Sequence, residues 1–180
     1  MRRVGLALVL LATAAGNVAA QGGDEARQAY FAAVADFFRV PASEISILGD
    51  WPLPADEIPV VLFVAGRAGV SEEALAALRR SGLSWHDLAG RYQVGPGAFH
   101  IPLPDDAAAG RLEGAYARYR EVPPTQWSEI RLSDADIVAL VNVRVLSGAL
   151  QLSVEEILRR AGATGSFTDL YAEIIRVDHS

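Results

Sequence analysis

Apolar residues recur at helical rather than alternating spacing along most of the chain. Tyr30, Phe31, Val34, Phe37 and Phe38 fall three and four apart, which predicts an amphipathic helix from Asp24 to Arg39. A short helix follows at Pro41 to Leu48, and Trp51-Pro52-Leu53-Pro54 makes a rigid link. Asp56 to Ala68 is a strongly apolar helix in which Pro59 fits only the first turn, and Gly69 ends it. Ser71 to Ser81 and Ser84 to Gln93 read as two further helices parted at Gly82. Gly95 to Pro104 reads as a loop rich in glycine and proline. Asp105 to Glu121 reads as a polar helix stopped by Pro123-Pro124. Ser133 to Gly148, Ser153 to Ala161 and Ser166 to Val177 complete the series. The expected fold is all-α, with eight or nine short helices in a single globular domain.

Serines followed three residues later by an acid support these helix starts. Ser84 with Asp87, Ser133 with Asp136, Ser153 with Glu156 and Ser166 with Asp169 each precede an apolar-periodic run. Such a pair can satisfy two free amides at a helix N-terminus, although Asp is shorter than the usual Glu or Gln. Two stretches compete with the helical reading. Val60 to Val64 has the composition of a buried strand, and Val141, Val143 and Val145 alternate as a strand would. Length and end signals favour helix at both; the alternative is a small central sheet.

Two stretches share an order of elements. Residues 56–94 run from an apolar helix through Gly69-Val70-Ser71 and Leu78-Arg79-Arg80-Ser81-Gly82 to Trp85-His86-Asp87-Leu88. Residues 133–177 run from an apolar helix through Gln151-Leu152-Ser153 and Leu158-Arg159-Arg160-Ala161-Gly162 to Phe167-Thr168-Asp169-Leu170. The spacing differs by two residues in each of two places. Either the chain holds two tandem trihelical units, or short helix hairpins have converged on similar caps. Duplication predicts two three-helix units packed together, each burying its long apolar helix.

The N-terminus changes the picture of where this domain works. Arg2 and Arg3 precede an apolar run from Val4 to Ala15, and Val18, Ala19 and Ala20 supply small side chains. That is the layout of a secretory signal. The run is too short for a membrane span, which needs about 20 apolar residues. The expectation is a signal peptide at residues 1–20, a helical domain at 21–180, and a periplasmic or secreted product with no stable membrane insertion. There is no cysteine, so the fold has no disulfide, thiolate metal site or lipid-bearing cysteine. All sixteen basic residues are arginine, against 22 acids. An acidic balance opposes nucleic acid, despite a helix-turn-helix rhythm in residues 56–94.

Candidate chemistry is sparse. His86 and Asp87 are adjacent on a helix and point about 100° apart, so Asp87 reads better as partner of Ser84 and Trp85 as a core anchor. His100 near Asp105 and Asp106 lacks the spacing of a metal motif. Arg111, Tyr116, Arg118, Tyr119 and Arg120, followed by Trp127, form the candidate binding face. Arginine and tyrosine grip carboxylates, phosphates and sugars and populate protein interfaces. The alternative is that Tyr116 and Tyr119, with Leu112, seat a polar helix on the core. No nucleophile elbow, zinc-binding helix, phosphate loop or dinucleotide fingerprint is present. The reading therefore names no catalytic residue, metal or cofactor. It leans away from an enzyme and toward an envelope component that binds another envelope protein. Glycan binding or hydrolysis by a pair of acids is the alternative.

The stretch Glu57-Ile58-Pro59-Val60-Val61-Leu62-Phe63-Val64-Ala65, with Arg67-Ala68-Gly69-Val70-Ser71 and Ser81-Gly82-Leu83-Ser84-Trp85, resembles a group of uncharacterised bacterial proteins of predicted secretion. Asp136-Ile137-Val138 to Val143 and the Tyr119 to Trp127 region are similar to later parts of that group. The likeness implies a helical fold and carries over no catalytic residue.

Overall fold

The computed structural model describes residues 14–162 and 165–178. Its helices, in chain order, are α1 (Ala14–Phe38), α2 (Ala42–Gly49), α3 (Ile58–Ala68), α4 (Glu72–Arg80) and α5 (Trp85–Arg91). They continue with α6 (Pro96–Phe99), α7 (Glu113–Glu121), α8 (Asp134–Leu150), α9 (Val154–Ala161) and α10 (Phe167–Asp178). Short 3-10 helices lie at Ala55–Glu57, Gly110–Leu112 and Pro124–Glu129. No strand occurs among the described residues, so both valine-rich stretches are helical. The chain is all-α and forms one domain.

The two valine-rich helices are long enough to bury a whole face, and α3 packs on α8 at the centre. Ile58, Val60, Val61 and Val64 are fully buried, and Pro59 sits in the first turn, where no amide hydrogen is required. Each buried branched side chain stabilises the fold by roughly 1.5–3 kcal/mol over its exposed state. Gly69 closes α3 at φ 67, a left-handed conformation that suits glycine. α1 packs across α2, α8 and α10.

The polar ends follow the serines. Ser71, Ser84, Ser133 and Ser153 each accept from the amide three residues on. Ser166 accepts from Asp169 N at 3.0 Å. Only Ser133 and Asp136 complete the reciprocal box. Asp87 and Asp169 accept instead from the hydroxyls of Ser84 and Ser166, and Glu156 turns to Arg159 and Arg160. Ser71 is a cap without an acid three residues later.

Two acids reach across the molecule. Asp56 accepts from Phe167 N at 2.9 Å and Thr168 N at 3.2 Å, and so caps α10. Asp134 accepts from Trp85 N at 2.8 Å and His86 N at 3.3 Å, and so caps α5. The three-helix stretches at 55–91 and 134–178 are thus joined reciprocally: an acid at the head of each long helix caps the third helix of the other. Arg79 strengthens one of these joints. It grips Glu57 through two bonds of 2.8 and 2.7 Å, and Asp134 through a third of 2.7 Å.

Two expectations need correction. Asp105 to Glu121 is not one helix: α7 begins at Glu113, after the 3-10 turn at Gly110–Leu112. Gly110 stands at φ 54, and the small residues before it supply few apolar anchors. The predicted loop from Gly95 to Pro104 contains the four-residue helix α6, started by Pro96. At the other end, α1 extends back to Ala14. Residues 22–29 are exposed or half-exposed, and burial begins at Tyr30. The first thirteen residues of the predicted signal lie outside the described residues.

Candidate binding site

The connection from α5 to α8 carries most of the side chains with recognition chemistry. Its segment from Pro96 to Ile101, α6 and the two residues after it, is fixed by side chains donating to its carbonyls. Tyr119 Oη donates to Pro96 O and Tyr116 Oη to Ile101 O, both at 2.7 Å. Arg144, on α8, donates from Nη2 to the carbonyls of Ala98, Phe99 and His100 at 3.3, 3.1 and 2.8 Å. The His100 ring then lies among aromatics, with centroids 4.2 Å from Trp127, 4.8 Å from Tyr119 and 5.8 Å from Tyr116.

This packing sets the charge states. Burial pushes the Tyr116 phenol up to about 12 and Tyr119 higher still. His100 is held below its ordinary value by burial and then by the charge of Arg144. Arg144 is itself lowered, first by burial and then by repulsion from Arg67. The imidazole is therefore neutral at neutral pH and serves as an aromatic wedge.

The predicted binding face is dispersed by these contacts. Tyr116 and Tyr119 are 2% and 4% exposed, so they belong to the core and not to a surface. Their ring faces, with buried Leu112, seat α7, and their hydroxyls find carbonyls instead of solvent. Trp127 is half-buried and donates Nε1 to Tyr119 O at 3.2 Å. Arg118 pairs with Asp136 at 2.7 Å, the same carboxylate that closes the cap of α8. Arg120 lies 5.8 Å over the Tyr116 ring and 3.7 Å from Glu113. Arg111 stacks at 5.0 Å on Phe167, apart from the others. An exposed patch around Tyr116, Arg120 and Trp127 is therefore not what the fold presents.

What it presents instead is a cleft of about 220 Å³ lined in part by the same connection. Val94, Phe99, Ile130 and Ile137 are among its apolar walls, and His86, Gln93 and Ser128 provide polar groups. His86 thus has a place in a site, but not beside Asp87, which is engaged with Ser84. Trp85 is fully buried, as a core anchor is. The cleft is assembled from α5, the turn after it, α6, the segment before α8 and α8 itself. No single stretch carries its signature. A local hint is Gln93 at φ 59, a left-handed residue that turns the chain at the end of α5.

A second hollow, of about 370 Å³, lies between α1, α8 and α10 and is lined mainly by small residues, with Phe37, Tyr171 and a single carboxylate, Asp36. Among the described residues no three His, Asp or Glu side chains converge as a metal site would require. Family models, curated proteins and solved structures yield no match to this chain.

Proposed function

We propose that the protein is an exported component of the bacterial envelope that works by binding another protein, and that the cleft between His86 and Ile130 receives an apolar side chain of that partner. The single observation that carries the reading is the cleft itself: an apolar floor with three polar groups has the anatomy of a recognition pocket. Its volume suits one large side chain.

Two further features support the reading. Neither hollow pairs carboxylates: the larger has Asp36 alone and the cleft has none. Glycoside cleavage uses two acids roughly 5–10 Å apart, so the glycan-hydrolase alternative has no footing in these hollows. Residues 22–29 are exposed or half-exposed and burial begins at Tyr30, which suits a mature chain that starts at residue 21. No single described helix is long and apolar enough to cross a membrane.

The test is capture of the tagged protein from its native envelope, comparing wild type with Ser128→Trp, which fills the cleft, and Glu173→Gln, which lies on exposed α10 surface. A stoichiometric partner kept by Glu173→Gln and lost by Ser128→Trp supports the reading. A partner held equally by both variants places binding elsewhere. The mass of the captured chain tests cleavage at residue 20 directly.

A further inference from the structure

Charge is unevenly spent in this acidic chain. Formal net charge is −6, and several arginines sit in ion pairs: Arg79, Arg118, Arg120, Arg159 and Arg160. Two neighbours do not. Arg67 projects from the last turn of α3, with its guanidinium carbon 5.2 Å from the centroid of the Phe63 ring one turn back. Arg144 reaches from α8 to the same ring, at 4.9 Å. The two cations are therefore no further apart than those two distances laid end to end. Among the described residues neither has a carboxylate partner.

The donors of the pair are also unspent. All three hydrogen bonds of Arg144 leave from Nη2, toward the carbonyls of residues 98 to 100. Its Nη1 and Nε make none. Neither is among the sealed, unpartnered polar atoms, which are Trp85 Nε1 and Arg118 Nε, so neither donor is wholly closed off from solvent. Arg67 is exposed and its whole fork is unbonded. The ring below explains part of this, because guanidinium groups stack on aromatics and a basic residue suits the C-terminal end of a helix. Neither explanation neutralises a half-buried cation held beside a second one. Burial, and after it the charge of Arg67, lowers the value of Arg144.

We propose that Arg67 and Arg144 together hold an oxyanion, a carboxylate or phosphate group, over the Phe63 edge of the molecule. Planar guanidinium forks match the paired oxygens of either group and bind them with charge-assisted hydrogen bonds. The carbonyls of Ala98, Phe99 and His100, which accept from Nη2, preset the Arg144 fork, so one of the two arms is already ordered. The site borders the cleft of the proposed partner-binding surface through Phe99, whose carbonyl Arg144 holds, but Arg67 and Arg144 do not line that cleft, so anion binding is tested apart from partner binding.

The experiment is a titration of the purified protein with sodium phosphate and, separately, sodium acetate. Sodium chloride at equal ionic strength is the control. The readout is the set of arginine Nε–Hε signals in the ¹⁵N spectrum. Saturating shifts confined to Arg67 and Arg144 are expected, and saturation by one anion alone names the group. Arg67→Gln, on an exposed position, should weaken binding about tenfold or more, which corresponds to about 1.4 kcal/mol. Its helical circular dichroism should be unchanged. Shifts that sodium chloride reproduces, or an Arg67→Gln protein that binds as tightly as wild type, would overturn the proposal.

Discussion

Tyr30, buried near the middle of α1, donates its phenolic hydrogen to Oδ1 of Asn142, buried near the middle of α8. The other end of the amide is occupied too: Nδ2 donates to Asp56 O and Val138 O, both at 2.8 Å. This polar thread ties α1 to the turn that opens α3, through a core that is mostly apolar. Tyr30→Phe leaves Oδ1 of Asn142 buried without a donor, which costs about 1–3 kcal/mol. Urea denaturation should show that loss with an unchanged slope. A cost below about 0.5 kcal/mol would mean that the bond is not made.

The crossed caps make a second prediction. Asp56→Ala and Asp134→Ala each remove the side chain that satisfies two backbone amides on a distant helix. Each should cost about 0.5–2 kcal/mol, the usual value of a helix cap. Asp134→Ala should lie at the upper end, since it also takes one carboxylate from Arg79. Chemical denaturation of the two variants, with Asp134→Asn as the milder comparison, checks the order. Asp134→Ala as stable as wild type would remove the cap from the account.

Gly148 lies against Phe37, and a Cβ there would come within 2.7 Å of the ring. Alanine is the better helix former by about 1 kcal/mol. Overpacking costs typically 1–3 kcal/mol. The ring contact should win, so Gly148→Ala destabilises the protein. In a Phe37→Ala background the obstacle is gone, and the same change should become stabilising. A double-mutant cycle by thermal unfolding reads the reversal, and equal effects in both backgrounds would exclude the contact.

His100 sets a pH dependence. Its folded value is depressed by burial and by Arg144, while the unfolded imidazole titrates near about 6.5. The unfolded chain therefore binds more protons in this range, and its contribution to stability is full above about pH 6.5. That contribution declines as pH falls toward the folded value. Urea midpoints at pH 7.5 and 5.5 should differ less for His100→Phe than for wild type. An equal drop in both proteins would assign the pH dependence to other groups.

Sequence and structure meet where the determinants are local. Ile58 to Val64 is apolar on every side, so it reads as buried whatever surrounds it, and Ser133 with Asp136 completes its box within four residues. The polar segment from Asp105 shows the limit. Its acids and arginines suit a helix, yet Gly110 takes a left-handed turn whose only sequence trace is the glycine. Tyr116 and Tyr119 were ambiguous for a different reason. A tyrosine at helical spacing suits both core and interface, and the choice depends on carbonyls at Pro96 and Ile101 that are 23 and 15 residues away. The cleft and the Arg67–Arg144 pair are invisible for the same cause: each is made where separate helices meet.

The crossed acids also bear on the order in which the molecule can be completed. A chain that emerges N-terminus first presents Trp85 long before Asp134 exists, and Asp56 waits longer still for Phe167. The first three-helix stretch is then held back from its finished form until the second has been made. Until then the amides of Trp85 and His86 lack their carboxylate, and α5 is started by Ser84 alone while the second stretch is still being made.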